Sequence, residues 1–93
     1  MHDWTLVSIV FNWKEAQATL NFRCAEGRDA LLTAHEVLEL QIPRHSEWGP
    51  SVSVNEVGVS MYGRNDFRVL KIEMQTGDVI SIVARHFDMP IGD

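Results

Sequence analysis

The sequence contains a single cysteine, Cys24, and few basic residues. One thiol per chain excludes an intrachain disulfide framework and a zinc site built from several cysteines. The 8 lysines and arginines are scattered, and 13 acidic residues outnumber them, which gives a net charge of −5. Because binding to a phosphate backbone needs a concentrated basic patch, we expect no nucleic-acid partner.

Long apolar runs are also missing, since the longest span 3 residues, as in Ile9-Val10-Phe11. A membrane-spanning helix needs about 20 apolar residues, so we expect no membrane partner. Residues 1–12 lack the basic start and apolar stretch of a signal peptide, which predicts a cytoplasmic location. The length and the 45% hydrophobic content fit a single globular domain over residues 1–93.

Alternation of apolar and polar residues, the period of a β-strand, runs through most of the chain. It predicts strands over residues 5–13, 17–24, 51–54, 57–61, 67–74 and 79–87. A break at Asn55-Glu56 absorbs a change of phase between the third and fourth of these. Six or seven short strands with tight turns predict an all-β, single-domain antiparallel meander, folded as a small sandwich or a partly open barrel.

Residues 29–42 have two interpretations. One is a helix capped by Asp29, with an apolar face made of Leu31, Ala34, Leu38 and Ile42. The other is a pair of strands on either side of a kink at His35-Glu36. We favour the strands because alternation runs unbroken from Leu38 to Pro43, and the helix remains the alternative.

The first strand presents two different faces. The first is strongly apolar and predicts a core position for Val7, Ile9, Phe11 and Trp13. The second is mixed and contains Trp4, Leu6 and Val10. If nothing covers the second face, these three side chains form an exposed apolar strip, which is typical of an interface.

Trp48 lies in a loop bounded by Pro43 and Pro50. A tryptophan in a rigid loop is a suitable anchor for a protein partner, because it offers a large area and few rotatable bonds. The alternative is that Trp48 folds back and closes one end of the core, since most large aromatic side chains are substantially buried. Both interpretations stay open.

Several polar residues are candidates for a ligand or metal site, namely His2, Asp3, His45 and Glu47. His86 and Asp88 share the two-residue spacing that places both side chains on one face of a strand. A pair of ligands does not make a zinc site, and nothing in the sequence indicates that more of them converge. We therefore predict no metal and no cofactor, and assign these residues to solvated surface.

No catalytic residue is predicted. The serines are not in a nucleophile elbow, and the glycines do not form a phosphate-binding loop. Cys24 continues the alternation of Ala18, Leu20 and Phe22, which predicts a buried structural thiol. The sequence indicates that the chain is not an enzyme.

Three segments carry a resemblance: His2-Asp3-Trp4, Pro43-Arg44 followed by residues 48–57, and the hairpin at 74–79. They resemble a group of short bacterial proteins of unknown function. More distantly, the N-terminal residues are similar to those of small bacterial immunity-protein-like domains, which often begin with a His-Asp pair. The resemblance implies a bacterial cytoplasmic β domain, and it carries no functional residue over to this chain.

Together these observations predict a non-enzymatic protein–protein interaction module. Its contact residues would be Trp4, Leu6, Val10 and Trp48, and its partner either a second copy or another protein. The negative charge favours a basic partner, and the resemblance implies toxin neutralisation as one specific case. The alternative is a small-ligand or metal-binding domain that uses His2, Asp3, His45 and Glu47.

Overall fold

The computed structural model describes residues 3–24, 26–45, 53–63 and 66–90. Within these ranges the chain forms six strands and no helix: β1 (Thr5–Asn12), β2 (Gln17–Arg23), β3 (Asp29–Gln41), β4 (Val54–Met61), β5 (Arg68–Met74) and β6 (Val79–Asp88). The predicted all-β antiparallel fold is confirmed. The described ranges thus hold no helix of the length and apolarity needed to cross a membrane.

The strands form one sheet in the order β1-β2-β3-β6-β5-β4, so two three-stranded meanders are joined through β3 and β6. The connection from β3 to β4 takes the chain from the middle of the sheet to its far edge. There the two edge strands approach each other through a bridge between Thr5 and Ser53. The Asp3 and Val54 amides donate to the carbonyls of Val54 and Trp4, at 2.9 and 2.8 Å. In the described residues the sheet is therefore open, with its edges joined at one end.

Residues 29–41 form one bent strand, so the helical alternative is wrong. The bend lies at Glu36, which has a φ of +54°, and the register shifts between Val37 and Glu39. The predicted kink at His35-Glu36 is confirmed. Before the bend β3 pairs with β2, and from Thr33 onward it pairs with β6.

The core is built from the inward faces of β2, β5 and β6, as their alternation predicts. Its fully buried members on these strands are Ala18, Leu20, Phe22, Leu70, Ile72, Met74, Ile80, Ile82 and Ala84. Cys24 is a buried free thiol, in agreement with the sequence. The predicted break at Asn55-Glu56 is confirmed by a register shift between Val54 and Glu56.

The predicted faces of β1 are partly wrong, because a register shift between Leu6 and Ser8 inserts Val7 as an extra residue. Before the shift, Leu6 is opposite Phe22. After the shift, Ile9 is opposite Leu20. Trp4 and Leu6 therefore turn toward the core instead of forming an exposed strip. Trp4 is only 5% exposed, and its ring lies 6.1 Å from that of Phe22.

The opposite correction applies to the residues predicted to be core in this segment. Val7 and Phe11 are exposed, and only Ile9 packs against the core. Trp13 follows the end of β1 in the turn that leads to β2, and it is 87% exposed. Alternation extended past the end of the strand gave the wrong environment for this side chain.

The two tryptophans should respond oppositely to truncation. We expect Trp4→Ala to lower the free energy of unfolding by about 3–5 kcal/mol, because it leaves a large cavity in the core. Trp13→Ala should lower it by less than about 1 kcal/mol, because little of the side chain is buried. Urea denaturation of both variants measures these values. Equal losses would contradict the assignment.

The bend in β3 can be tested at Glu36. Because residue 36 has a left-handed backbone conformation, Glu36→Val should lower the free energy of unfolding by about 1–3 kcal/mol. Glu36→Gly should not lower it, because glycine adopts this conformation without strain. Both variants lose the exposed ion pair with Arg85, so their difference isolates the backbone. The control is Thr33→Gly in the regular part of β3, which should cost about 0.5–1 kcal/mol. A loss for Glu36→Gly as large as for Thr33→Gly would contradict the bend.

Candidate functional site

An apolar groove lies between the end of the β1–β2 hairpin and the second half of β3. Its volume is about 360 Å³. We call it the hairpin groove, and it is lined by Phe11, Trp13, Ala16, Val37, Leu38, Glu39 and Leu40. Six of these seven side chains are apolar, so the groove offers an apolar surface with one carboxylate at its border.

The bend of β3 creates this groove. β2 and β3 pair from Arg23 and Asp29 up to Ala18 and Ala34, and the Val37 amide then donates to the Ala16 carbonyl at 2.8 Å. Beyond that hydrogen bond, β3 follows β6 and leaves the hairpin. The space between the diverging elements is the groove.

Two aromatic rings form one wall. Phe11 and Trp13 are in edge-to-face contact, with ring centroids 5.9 Å apart and an interplanar angle of 75°. This arrangement is favourable for aromatic rings. On the opposite wall Leu38 is 45% exposed. Such a cluster of exposed large apolar side chains is typical of a binding surface.

The charged side chains next to the groove are net negative. Glu39 lines it, and the adjacent turn exposes Glu15 together with one lysine, Lys14. Neither carboxylate forms an ion pair with another described residue. Three arginines pair with acidic side chains that are not part of the groove lining: Arg23 with Asp29, Arg28 with Glu26, and Arg85 with Glu36 and Asp66.

The structure does not assemble the predicted partner-binding set. Trp4 is in the core, and Leu6 is half-buried against it. Val10 is exposed, and Trp48 lies outside the described residues. Trp13, in the turn that follows β1, is a more exposed aromatic side chain than any member of the predicted set that the structure describes.

The predicted ligand-binding set is likewise only partly visible. His2 and Glu47 lie outside the described residues, and His45 is exposed. The Asp3 carboxylate accepts a hydrogen bond from the Gln75 amide nitrogen at 3.0 Å, and its own backbone amide bonds to Val54. Asp3 thus helps to hold the N-terminal segment against the hairpin that joins β5 and β6.

A polar cluster that the sequence did not reveal forms on β3 and β6. His35 and His86 are direct cross-strand partners, with ring centroids 5.4 Å apart. The Nε2 atoms of His35 and His86 lie 2.7 and 2.8 Å from the two carboxylate oxygens of Asp88. The spacing of His86 and Asp88 predicted a shared face. Only the pairing of β3 with β6 brings His35 to it.

The two imidazoles act on the ionisation of Asp88. Hydrogen bonds from His35 and then from His86 lower the pKa of the Asp88 carboxyl below its ordinary value, with partial desolvation opposing them. Each imidazole contacts a different oxygen of the same carboxylate, so the three groups bond to one another and do not surround a common point. Among the described residues no group of three ligand side chains is arranged to hold a metal ion.

Comparison with known proteins identifies a fold but no family. No protein-family model matches the chain, and no curated protein matches it significantly. The fold is similar to the crystal structure of an uncharacterized protein from Neisseria gonorrhoeae, with a TM-score of 0.72 and 17% sequence identity. The alignment covers 95% of this chain and 90% of that chain. At this identity the similarity supports the all-β architecture alone.

The polar cluster predicts how Asp88 titrates. We expect His35→Ala to raise the pKa of Asp88 more than His86→Ala does, because the His35 hydrogen bond lowers it more. A pKa below that of the unfolded chain stabilises the fold above about pH 5, and this stabilisation is lost as the pH falls through the folded-state value. NMR titration of the Asp88 carboxyl carbon measures both effects. An Asp88 pKa that neither variant changes would contradict the cluster.

Proposed function

We propose that this chain is a non-enzymatic protein-interaction module that binds its partner in the hairpin groove. The observation that carries the proposal is the 87% exposure of Trp13 beside an apolar groove. Exposed single leucines or valines are common on protein surfaces, whereas an exposed tryptophan next to a contiguous apolar groove is uncommon. Tryptophan is also among the residues that contribute most to protein–protein binding.

The rest of the groove has the features of an interface centre. Phe11 and Leu38 extend the apolar surface on both sides of the groove. A partner that covered these side chains would remove them from water, with a gain of roughly 25 cal/mol per Å² of apolar area. The polar border at Glu15 and Glu39 is consistent with the polar rim that surrounds such centres.

The charge of the chain favours a basic protein partner. A net charge of −5 attracts a positively charged protein and repels a second copy of the same chain. Neutralisation of a basic toxin would be one case of this function. The single free thiol at Cys24 is consistent with a reducing compartment, and we place the module in the cytoplasm.

Site-specific photocrosslinking in cells tests the proposal. A crosslinking amino acid replaces Lys14, next to Trp13, or Glu26, in the turn at the other end of β2. We expect an adduct of defined mass from position 14 and none from position 26. Its yield should fall at least ten-fold when Trp13→Ala is added, because the partner loses its main apolar contact.

The matched control is Met61→Ala, which removes an exposed apolar side chain of β4 and should leave the adduct unchanged. An adduct that persists in Trp13→Ala would contradict the proposed surface. An adduct of twice the chain mass would show that the partner is a second copy of this chain and not a basic protein.

A further inference from the structure

We infer that the partner supplies an extended, basic segment that adds as a strand to the free edge of β3 beside the hairpin groove. This inference rests on the proposed function and specifies what occupies the groove. It depends on three properties of the described residues: an unpaired backbone edge, an apolar groove along that edge, and negative charge around it.

The free edge is a consequence of the strand pairing. β3 has β2 on one side and β6 on the other, and pairing with β2 ends at Ala34. After the single hydrogen bond from Val37 to Ala16, no described strand lies on that side of residues 38–41. Residues 39–41 still pair with β6 on the opposite side, so this part of β3 keeps an extended backbone.

An unpaired strand edge presents backbone N–H and C=O groups that accept another strand. In strand addition, main-chain hydrogen bonds provide affinity and pockets for alternate side chains provide specificity. The hairpin groove is in the correct place for such a pocket, because Leu38 and Leu40 of the free edge form one wall and Trp13 belongs to the other. A strand added here would direct every second side chain into the groove.

Other free edges are less suitable. The outer edge of β1 is already in contact with Ser53 at Thr5. The depression beside β4 is lined by charges of both signs, with Glu56, Lys71 and Glu73 among its residues. The lining of the depression beside β4 contains no aromatic side chain.

The geometry also defines the segment. Four residues of free edge span about 13 Å at roughly 3.3 Å per residue, so four or five partner residues pair with them. The side chains that enter the groove are apolar. The alternate side chains face outward, where lysine or arginine would approach Glu15 and Glu39.

The test uses the full chain and synthetic seven-residue peptides in which valine and isoleucine alternate with lysine and arginine. In two variants of this parent peptide, the backbone amides of either the odd or the even residues are N-methylated. In a third variant, glutamate replaces the basic residues. Since alternate amides face a neighbouring strand, one N-methylated peptide should bind at least ten-fold more weakly and the other about as well as the parent. The acidic peptide should also bind at least ten-fold more weakly.

Calorimetry measures the affinities, and amide hydrogen exchange locates the site. The parent peptide should protect amides within residues 38–41, and Trp13→Ala should weaken binding about ten-fold while Met61→Ala has no effect. Absence of binding, or equal binding of both N-methylated peptides, would overturn the inference. The crosslinking result at position 14 would still stand in that case, so failure of strand addition is distinguishable from failure of the groove as a binding surface.

Discussion

The register shift in β1 between Leu6 and Ser8 places Trp4 and Leu6 on the core side of the sheet. Because of it, Trp4 turns inward, packs against Phe22 and lies where the two edges of the sheet meet. Bulges of this kind commonly increase the local twist of a strand. Without the shift, Trp4 and Leu6 would leave the core, and the contact between β1 and the start of β4 would lose its apolar support.

The bend at Glu36 is the second constraint, and it links the architecture to the proposed function. β3 serves both halves of the sheet, and it can do so only by leaving β2 after Ala34 and following β6. A left-handed residue in the middle of a strand costs free energy of the order of 1–3 kcal/mol and persists only where the surroundings require it. Here its consequence is a strand edge that is free next to an apolar groove. Strained positions of this kind often lie near functional surfaces.

The sequence predicted the parts of this fold that depend on local alternation. The inward residues of β2, β5 and β6 follow a period of two, and Gly77 lies in the predicted turn with a φ of +97°. The predicted environments of Trp4 and Trp13 were wrong for two physical reasons. For Trp4, one inserted residue reverses the faces of the strand, and for Trp13, alternation does not apply beyond the end of the strand. Bulges that depend on tertiary contacts leave no clear mark in a single sequence.

The candidate site was less predictable than the fold. The groove requires the divergence of β2 and β3. The polar cluster requires His35 of β3 to lie opposite His86 of β6, although the end of β3 at Gln41 and the start of β6 at Val79 are 38 residues apart in sequence. The strand order that creates both is not sequential, and alternation alone does not define it. The sequence analysis placed Trp13 in the core, and the polar residues Lys14 and Glu15 that follow it are the signal that could have assigned it to the turn.

The most direct test of this account measures the solvent exposure of the tryptophan indoles. With the indole N–H signals assigned through Trp→Phe variants, a soluble paramagnetic agent is added during an NMR titration. We expect strong broadening of the Trp13 signal and little change in the Trp4 signal, because Trp13 is 87% exposed and Trp4 only 5%. Comparable broadening of both signals would contradict the inward position of Trp4, and a protected Trp13 would contradict the proposed binding surface.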